Sequence, residues 1–182
     1  MQYKGKIIWI TGASSGIGEA LAYEFARRGS TLILSARREK QLEEVRKKCL
    51  ELTTHCHICL MDLGNPGQIE DCTKKVLNQF DRIDVLVNNG GISQRSLIME
   101  TPLDIDRKIM EINYFGSVLL TKLVLPVMVK NGGGHVVAIS SIVGKFGFPL
   151  RSAYSASKHA MVGFFETLKT ELNKDNIKVP LS

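Results

Sequence analysis

The stretch Thr11-Gly12-Ala13-Ser14-Ser15-Gly16-Ile17-Gly18 limits the possible folds of this chain more than any other. The apolar run Ile7-Ile8-Trp9-Ile10 precedes it, and a helical pattern with Ala20, Leu21 and Phe25 follows. Strand, glycine-rich turn and helix make the layout of a phosphate-binding βα unit. Glycine lets a backbone turn tightly and approach a ligand closely, and a helix N-terminus offers free N–H groups and a positive dipole end to an anion. The spacing is Gly-x-x-x-Gly-x-Gly, not the Gly-x-Gly-x-x-Gly of the common dinucleotide fingerprint. A glycine-rich surface turn without a ligand is the plain alternative.

The rest of the chain repeats the alternation that this unit begins. Strand-like apolar runs cover Ile7–Thr11, Thr31–Ala36, Cys56–Asp62, Ile83–Asn88 and His135–Ser140. Helical patterns cover Ile17–Arg28, Glu39–Leu52, Pro66–Phe80, Pro102–Lys130 and Ser152–Asn173. Apolar strands each followed by a helix predict an α/β fold, a doubly wound parallel sheet covered on both faces. Asn65-Pro66 and Thr101-Pro102 place a capping side chain before a proline at the first helical position. Gly132-Gly133-Gly134 ends the long fourth helix. Asn176-Ile177-Lys178-Val179 reads as the opening of a sixth strand, shortly before Ser182. The expectation is one domain over 1–182, C-terminally incomplete, a fragment or truncated product whose last strands are missing.

Composition removes several function classes. Of the 182 residues, 44% are hydrophobic and 23% charged, the balance of an ordinary globular chain. The best candidate for a membrane span, Val118 to Val129, is interrupted by Lys122 and Pro126 and falls short of the ~18 residues needed. The expectation is therefore no membrane segment, no cleavable signal and a cytoplasmic protein. Net charge is +6. The positive charge sits mostly between Arg37 and Lys48, mixed with Glu43 and Glu44, as on a solvated helix face. Aromatics are not interleaved with it, so no nucleic-acid partner is expected. The cysteines are Cys49, Cys56, Cys59 and Cys72, with reduced thiols the default. His55-Cys56-His57-Ile58-Cys59 resembles a metal knuckle, but on a strand Cys56 and Cys59 face opposite sides, so no metal is expected.

An open parallel sheet binds ligands at the carboxyl ends of its strands. After the second strand comes Arg37-Arg38 with no carboxylate at the strand end. Arg37 there suits the 2′-phosphate of NADP(H) over the free ribose hydroxyl of NAD(H), the alternative being a solvated cation. Asp62-Leu63 offers a hydrogen bond and an apolar contact to an adenine edge, or else a loop cap. Asn88-Asn89-Gly90-Gly91 makes a tight turn able to approach a ribose, or an ordinary turn. Tyr154 and Lys158 are four apart and share a helix face. A nearby ammonium favours a phenolate, which suits tyrosine to proton transfer. Ser141 lies on a loop able to fold back toward a substrate oxygen.

Together these motifs resemble the short-chain dehydrogenase/reductase family over all 182 residues, in order and spacing. The run from Asn88 to Leu97 resembles the subgroup around its dehydrogenase/reductase member seven. The resemblance implies a Rossmann-like three-layer αβα domain and an oxidoreductase acting on a carbonyl or alcohol. It implies cofactor contacts from Gly12, Ser14, Ser15, Gly16, Ile17, Gly18, Arg37, Asp62, Leu63, Asn89 and Gly90, with Tyr154 and Lys158 at the nicotinamide ribose. Tyr154 would move the proton, assisted by Lys158, Ser141 would orient the substrate oxygen, and Asn113 would support a proton-relaying water. Gly90 stands where the family has alanine, and the lost methyl predicts a small effect on ribose packing. Vertebrate members of the subgroup carry a membrane anchor before the first strand. The family's Pro-Gly turn, substrate loop and seventh strand have no counterpart here. The family also pairs its fourth and fifth helices between subunits, which implies a homo-oligomer. The alternative function is a fragment that binds a dinucleotide or dimerises without turnover.

Overall fold

In the computed structural model, which describes residues 3–182, the first strand β1 (Ile7–Thr11) runs through the centre of the sheet with Ile8, Trp9 and Ile10 fully buried. It pairs in parallel on one side with β2 (Thr31–Ser35), Ile8 opposite Leu32, and on the other with β4 (Val85–Asn88), Ile8 opposite Val85. Beyond β2 lies β3 (Cys56–Ile58), and beyond β4 lie β5 (Gly134–Ala138) and β6 (Ile177–Lys178). The strand order is β3-β2-β1-β4-β5-β6, all parallel. Buried on both faces, these strands need helices on both, and alternation along each strand divides the core. Ile8, Ile10, Leu32 and Leu34 pack with Ala22 of α1 (Gly16–Arg27) and Leu42 of α2 (Glu39–Leu50). Trp9, Leu86 and Val136 pack with Ile69 of α3 (Pro66–Gln79), Leu120 of α5 (Gly116–Lys130) and Phe165 of α6 (Ser152–Glu171). The doubly wound three-layer architecture is as the sequence predicts, and its chain order reverses beside β1, where a crevice opens.

Several local expectations are corrected. The third strand stops at Ile58, although Cys59 and Met61 still donate to Leu34 and Ala36 along that edge. The long fourth helix is broken into α4 (Leu103–Met110), a π-helical turn (Glu111–Phe115) and α5. Asn65 caps α3 as expected, its Oδ1 accepting the Gln68 N–H at 3.1 Å. Thr101 caps nothing: Pro102 occupies the cap position, and the Thr101 hydroxyl donates to Leu97 O instead. By length and composition the helical run Leu103–Lys130 contains a window of 18 residues apolar enough to span a membrane, longer than the Val118–Val129 stretch that the sequence singles out. In the fold one stripe of that run is buried, including Leu120, Val124 and Met128, as in the core helix of a globular domain. Cys59 and Cys72 are joined in a disulfide with their Cα atoms 6.0 Å apart, so reduced thiols hold only for Cys49 and Cys56. The bridge forms because Cys59 faces α3 while Cys56 faces α2, the opposite-sides arrangement expected of a strand.

Candidate active site

The crevice at the carboxyl ends of β1, β2 and β4 is a cleft of about 310 Å³. Of the predicted cofactor residues, Gly12, Ser14, Ser15, Ile17, Arg37, Asp62, Leu63, Asn89 and Gly90 line it. Gly12 adopts φ +64° and Gly16 φ +60°, left-handed values that an L side chain resists. Gly18 does not line the cleft; a Cβ there would strike the Gly12 carbonyl oxygen, so its place is packing α1 against the turn. Asn89 Nδ2 donates to Thr11 O at 3.0 Å and Gly12 O at 3.2 Å, stapling the Asn88–Gly91 turn to the glycine turn. Thr11 completes the staple: its Oγ1 accepts the N–H groups of Asn89 and Gly90, each at 3.0 Å. Thr11 opens the glycine motif, and a hydroxyl at the buried end of an apolar strand is the sequence signal for this role. A methyl on Gly90 would lie 2.5 Å from Leu63 Cδ1, so it would press on the residue expected at the adenine before it reached a ribose.

The cleft has a basic mouth. Arg37 Nη1 lies 3.8 Å from Asp62 Oδ2, with the arginine side chain half exposed. Arg38, the second arginine after β2 and not one of the expected cofactor contacts, turns onto the glycine turn. Its Nη2 donates to Ser14 Oγ at 3.1 Å and Ser15 Oγ at 2.6 Å. Helix α1 opens here with no side chain capping its first N–H groups. Two guanidiniums, two hydroxyls and an uncapped helix N-terminus form a donor set suited to phosphate groups.

Asn113, Ser141, Tyr154 and Lys158 do not line that cleft; Asn113 borders it through Ile92. Asn113, on the π turn, is fully buried. Its Oδ1 accepts the Ile92 N–H at 2.8 Å, while Nδ2 donates to Ile92 O and to Ser157 Oγ, each at 2.9 Å. Tyr154 and Lys158 share one face of α6, with Lys158 Nζ 5.7 Å from the tyrosine ring centre. Lys158 is 4% exposed; Nζ donates to Ile139 O at 2.8 Å, and burial pushes its pKa down to about 8. Ser141 begins a 3₁₀ turn after β5, its Oγ accepting the Val143 N–H, and that turn packs on α6 where Gly144 approaches Lys158 O. Ser141 makes no hydrogen bond to Tyr154 among the described residues. Two residues that lie within the motif stretches without an expected role also reach Tyr154: Ser157 Oγ donates to its carbonyl at 2.8 Å, and Gln94 Oε1 accepts its N–H at 3.2 Å. No sequence spacing announces Gln94, because the contact spans 60 positions.

A glycine-lined cleft over a parallel sheet, together with a tyrosine and a buried lysine on one helix face, is the frame of a dinucleotide-linked oxidoreductase class. The chain belongs to the short-chain dehydrogenase/reductase family: the family model described as short chain dehydrogenase matches residues 6–181. Human "Dehydrogenase/reductase SDR family member 7" is 51% identical over 170 residues, covering 91% of this chain and 50% of the human protein. "Dehydrogenase/reductase SDR family protein 7-like" of Anopheles gambiae is 52% identical over 182 residues, 97% of this chain and 57% of the mosquito protein. The chain thus spans about half the length of these relatives. Among solved structures, L-sorbose reductase from Gluconobacter frateurii complexed with NADPH and L-sorbose aligns with TM-score 0.94 and 32% identity, over 100% of this chain and 70% of that one. A short-chain dehydrogenase/reductase from Burkholderia phymatum in complex with NAD aligns with TM-score 0.94 and 26% identity, over 100% and 66%.

Proposed function

We propose that this chain carries out the exchange of a carbonyl and an alcohol group on a small molecule with NADP(H) as redox partner. The observation that carries this reading is the burial of Lys158 beside Tyr154. A lysine this buried, with the Ile139 carbonyl and the Met161 sulfur as its hydrogen-bond partners among the described residues, is costly to the fold and suits a charge held for chemistry. A nicotinamide dinucleotide supplies or accepts the hydride when bound. The N-terminus of α1 with Ser14 and Ser15 holds its diphosphate, Arg37 and Arg38 its 2′-phosphate, and Asp62 with Leu63 its adenine. Tyr154 Oη gives a proton to the substrate oxygen in reduction and takes one in oxidation. The Lys158 ammonium holds the negative charge this leaves on the phenol, Ser141 Oγ orients the substrate oxygen, and Asn113 keeps the floor of the site in place. NADPH oxidation with a panel of ketones and aldehydes tests the assignment: Tyr154→Phe loses about 10²–10⁴-fold in rate. Equal rates in the two proteins would remove Tyr154 from the reaction.

We also propose a cytoplasmic setting, in which the Cys59–Cys72 bridge of the structure would be open. Alkylation in intact cells followed by mass spectrometry tests that, because disulfides belong mainly to oxidising compartments: Cys59 and Cys72 modified as free thiols support it, and both protected oppose it. A second reading, a module that pairs with another copy through the helices at 102–130 and 152–173, is favoured by one feature. The α5 surface carries a mainly apolar hollow of about 320 Å³ lined by Pro66, Ile69, Phe115, Val118 and Leu119, with Glu111 and Lys122 also in its lining and Phe115 51% exposed. Light scattering reads twice the 20.2 kDa chain mass if this holds, and the single mass if it does not.

A further inference from the structure

We propose that Gln94 is a positioning residue for Tyr154, capping the N-terminus of α6 from a distant loop and so fixing where the tyrosine main chain sits. This rests on the reading of Tyr154 as the proton-transfer residue. Helix α6 begins without a local cap: Arg151 holds the cap position and its side chain bonds no helix N–H. The first N–H groups of a helix have no partner inside it and must find one elsewhere. Tyr154 N–H finds Gln94 Oε1 at 3.2 Å, and Gln94 Nε2 donates to Ser152 Oγ at 3.1 Å, so both ends of the amide are used on the first turn of α6. Gln94 is only 9% exposed, although its neighbours Ser93 and Arg95 are both exposed.

The loop that carries Gln94 is itself fixed to its surroundings. Asn113 holds both the N–H and the C=O of Ile92. Arg151 Nη1 donates to Ser93 Oγ and Gln94 O, each at 2.6 Å, and Ser96 N–H donates to Leu150 O. Leu150 sits at φ +65°, a left-handed conformation a leucine resists, so the entry to α6 is strained and depends on these bonds. Tyr154 is gripped at both ends of its peptide unit, its N–H by Gln94 and its C=O by Ser157, whose hydroxyl Asn113 holds. Lys158 lies one turn deeper in α6 and is anchored separately on Ile139 O. Loss of the cap therefore displaces the tyrosine relative to the lysine while the walls of the cofactor cleft, built from other residues, stay in place.

Gln94→Met keeps length and apolar packing but removes both hydrogen bonds. Gln94→Glu keeps the oxygen that accepts from Tyr154 and adds a charge favourable at a helix N-terminus. Two readouts are taken, amide hydrogen exchange at Tyr154 and the split between kcat and NADPH affinity. In Gln94→Met the Tyr154 amide exchanges faster, while kcat falls about 10- to 100-fold and the Kd for NADPH stays within about twofold. In Gln94→Glu, protection and kcat both return to within about threefold of wild type. Unchanged kcat in Gln94→Met, a parallel loss of NADPH affinity, or a Gln94→Glu protein as poor as Gln94→Met overturns the proposal. Should Gln94→Met not fold, Gln94→Asn, whose shorter amide withdraws from the Tyr154 N–H, gives the same two readouts. If wild type and Tyr154→Phe are equally inert, the oxidoreductase reading falls and the positioning role falls with it. Exchange at Tyr154 would then still report separately whether Gln94 holds α6.

Discussion

Lys158 is the residue through which the site and the stability of the fold are coupled. Its pKa is held at about 8 by burial, against 10.5 for an ordinary lysine. Between those two values the unfolded chain binds a proton that the folded chain lacks, so this group's contribution to stability improves as pH rises through the window. Below pH about 8 the full penalty for burying the charge is present, about 3 kcal/mol at ~1.4 kcal/mol per unit. Denaturant unfolding from about pH 7.5 to about pH 10.5 should show wild type gaining stability relative to Lys158→Met; a flat difference would mean the ammonium is not buried at cost. The two arginines divide differently. Among the described residues Arg37 pairs with Asp62 and with no other carboxylate, so Arg37→Ala should weaken NADPH by about 10- to 100-fold in calorimetric titration and leave NADH unchanged. Arg38 also holds Ser14 and Ser15, so Arg38→Ala should weaken both dinucleotides, NADPH more. Equal losses for NADPH and NADH in Arg37→Ala would remove the 2′-phosphate from its role.

At the scale of elements, α5 shows how close packing overrides helix preference. Gly116 opens α5 where the helix passes over the chain leaving β3, and a Cβ there would strike the Leu63 carbonyl oxygen and lie 2.9 Å from Leu63 Cβ. Alanine is normally worth about 1 kcal/mol over glycine inside a helix. Here the obstacle is backbone, so Gly116→Ala should cost about 1–3 kcal/mol and weaken dinucleotide binding through Leu63, which lines the cleft. Gly163, in the middle of α6, has open space where a Cβ would go, so Gly163→Ala should raise stability by up to about 1 kcal/mol. Thermal unfolding of the pair tests the argument, and equal shifts of one sign would refute it. The interrupted fourth helix explains part of what the sequence withheld. An α-helix and a π turn bury the same kind of residue at nearly the same spacing, so the apolar pattern from Pro102 to Lys130 reads as one helix. The π turn at Glu111–Phe115 becomes visible only once Asn113 is seen reaching Ile92 and Ser157.

For the whole molecule, the parallel sheet was legible because burial on both faces forces continuous apolar strands, and β1 to Gly18 names the crevice before any coordinate is known. Contacts made across long stretches of chain were not legible: Gln94 to Tyr154, Arg38 to Ser14, and Cys59 to Cys72 depend on how elements dock, and no local pattern encodes docking. The cleft joins loops from β1, β2, β3 and β4, and a ligand held by all of them stabilises the fold as a unit. Binding to the native state alone adds RT ln(1 + [L]/Kd), about 2.7 kcal/mol at a hundredfold excess over Kd, which for a chain of this size raises Tm by about 5–10 °C. NADPH should therefore shift the melting curve upward with dose, and NADH should shift it less. Tyr154→Phe should keep the NADPH shift while losing turnover, because the groups proposed to hold the phosphates sit on the loops after β1 and β2 and not on α6. A shift that disappears with the tyrosine hydroxyl would mean that the hydroxyl carries most of the dinucleotide's hold on the fold, against the assignment of that hold to the phosphate-binding groups. An enzyme and a silent dinucleotide-binding module share the shift, and only the enzyme couples it to NADPH consumption that depends on Tyr154.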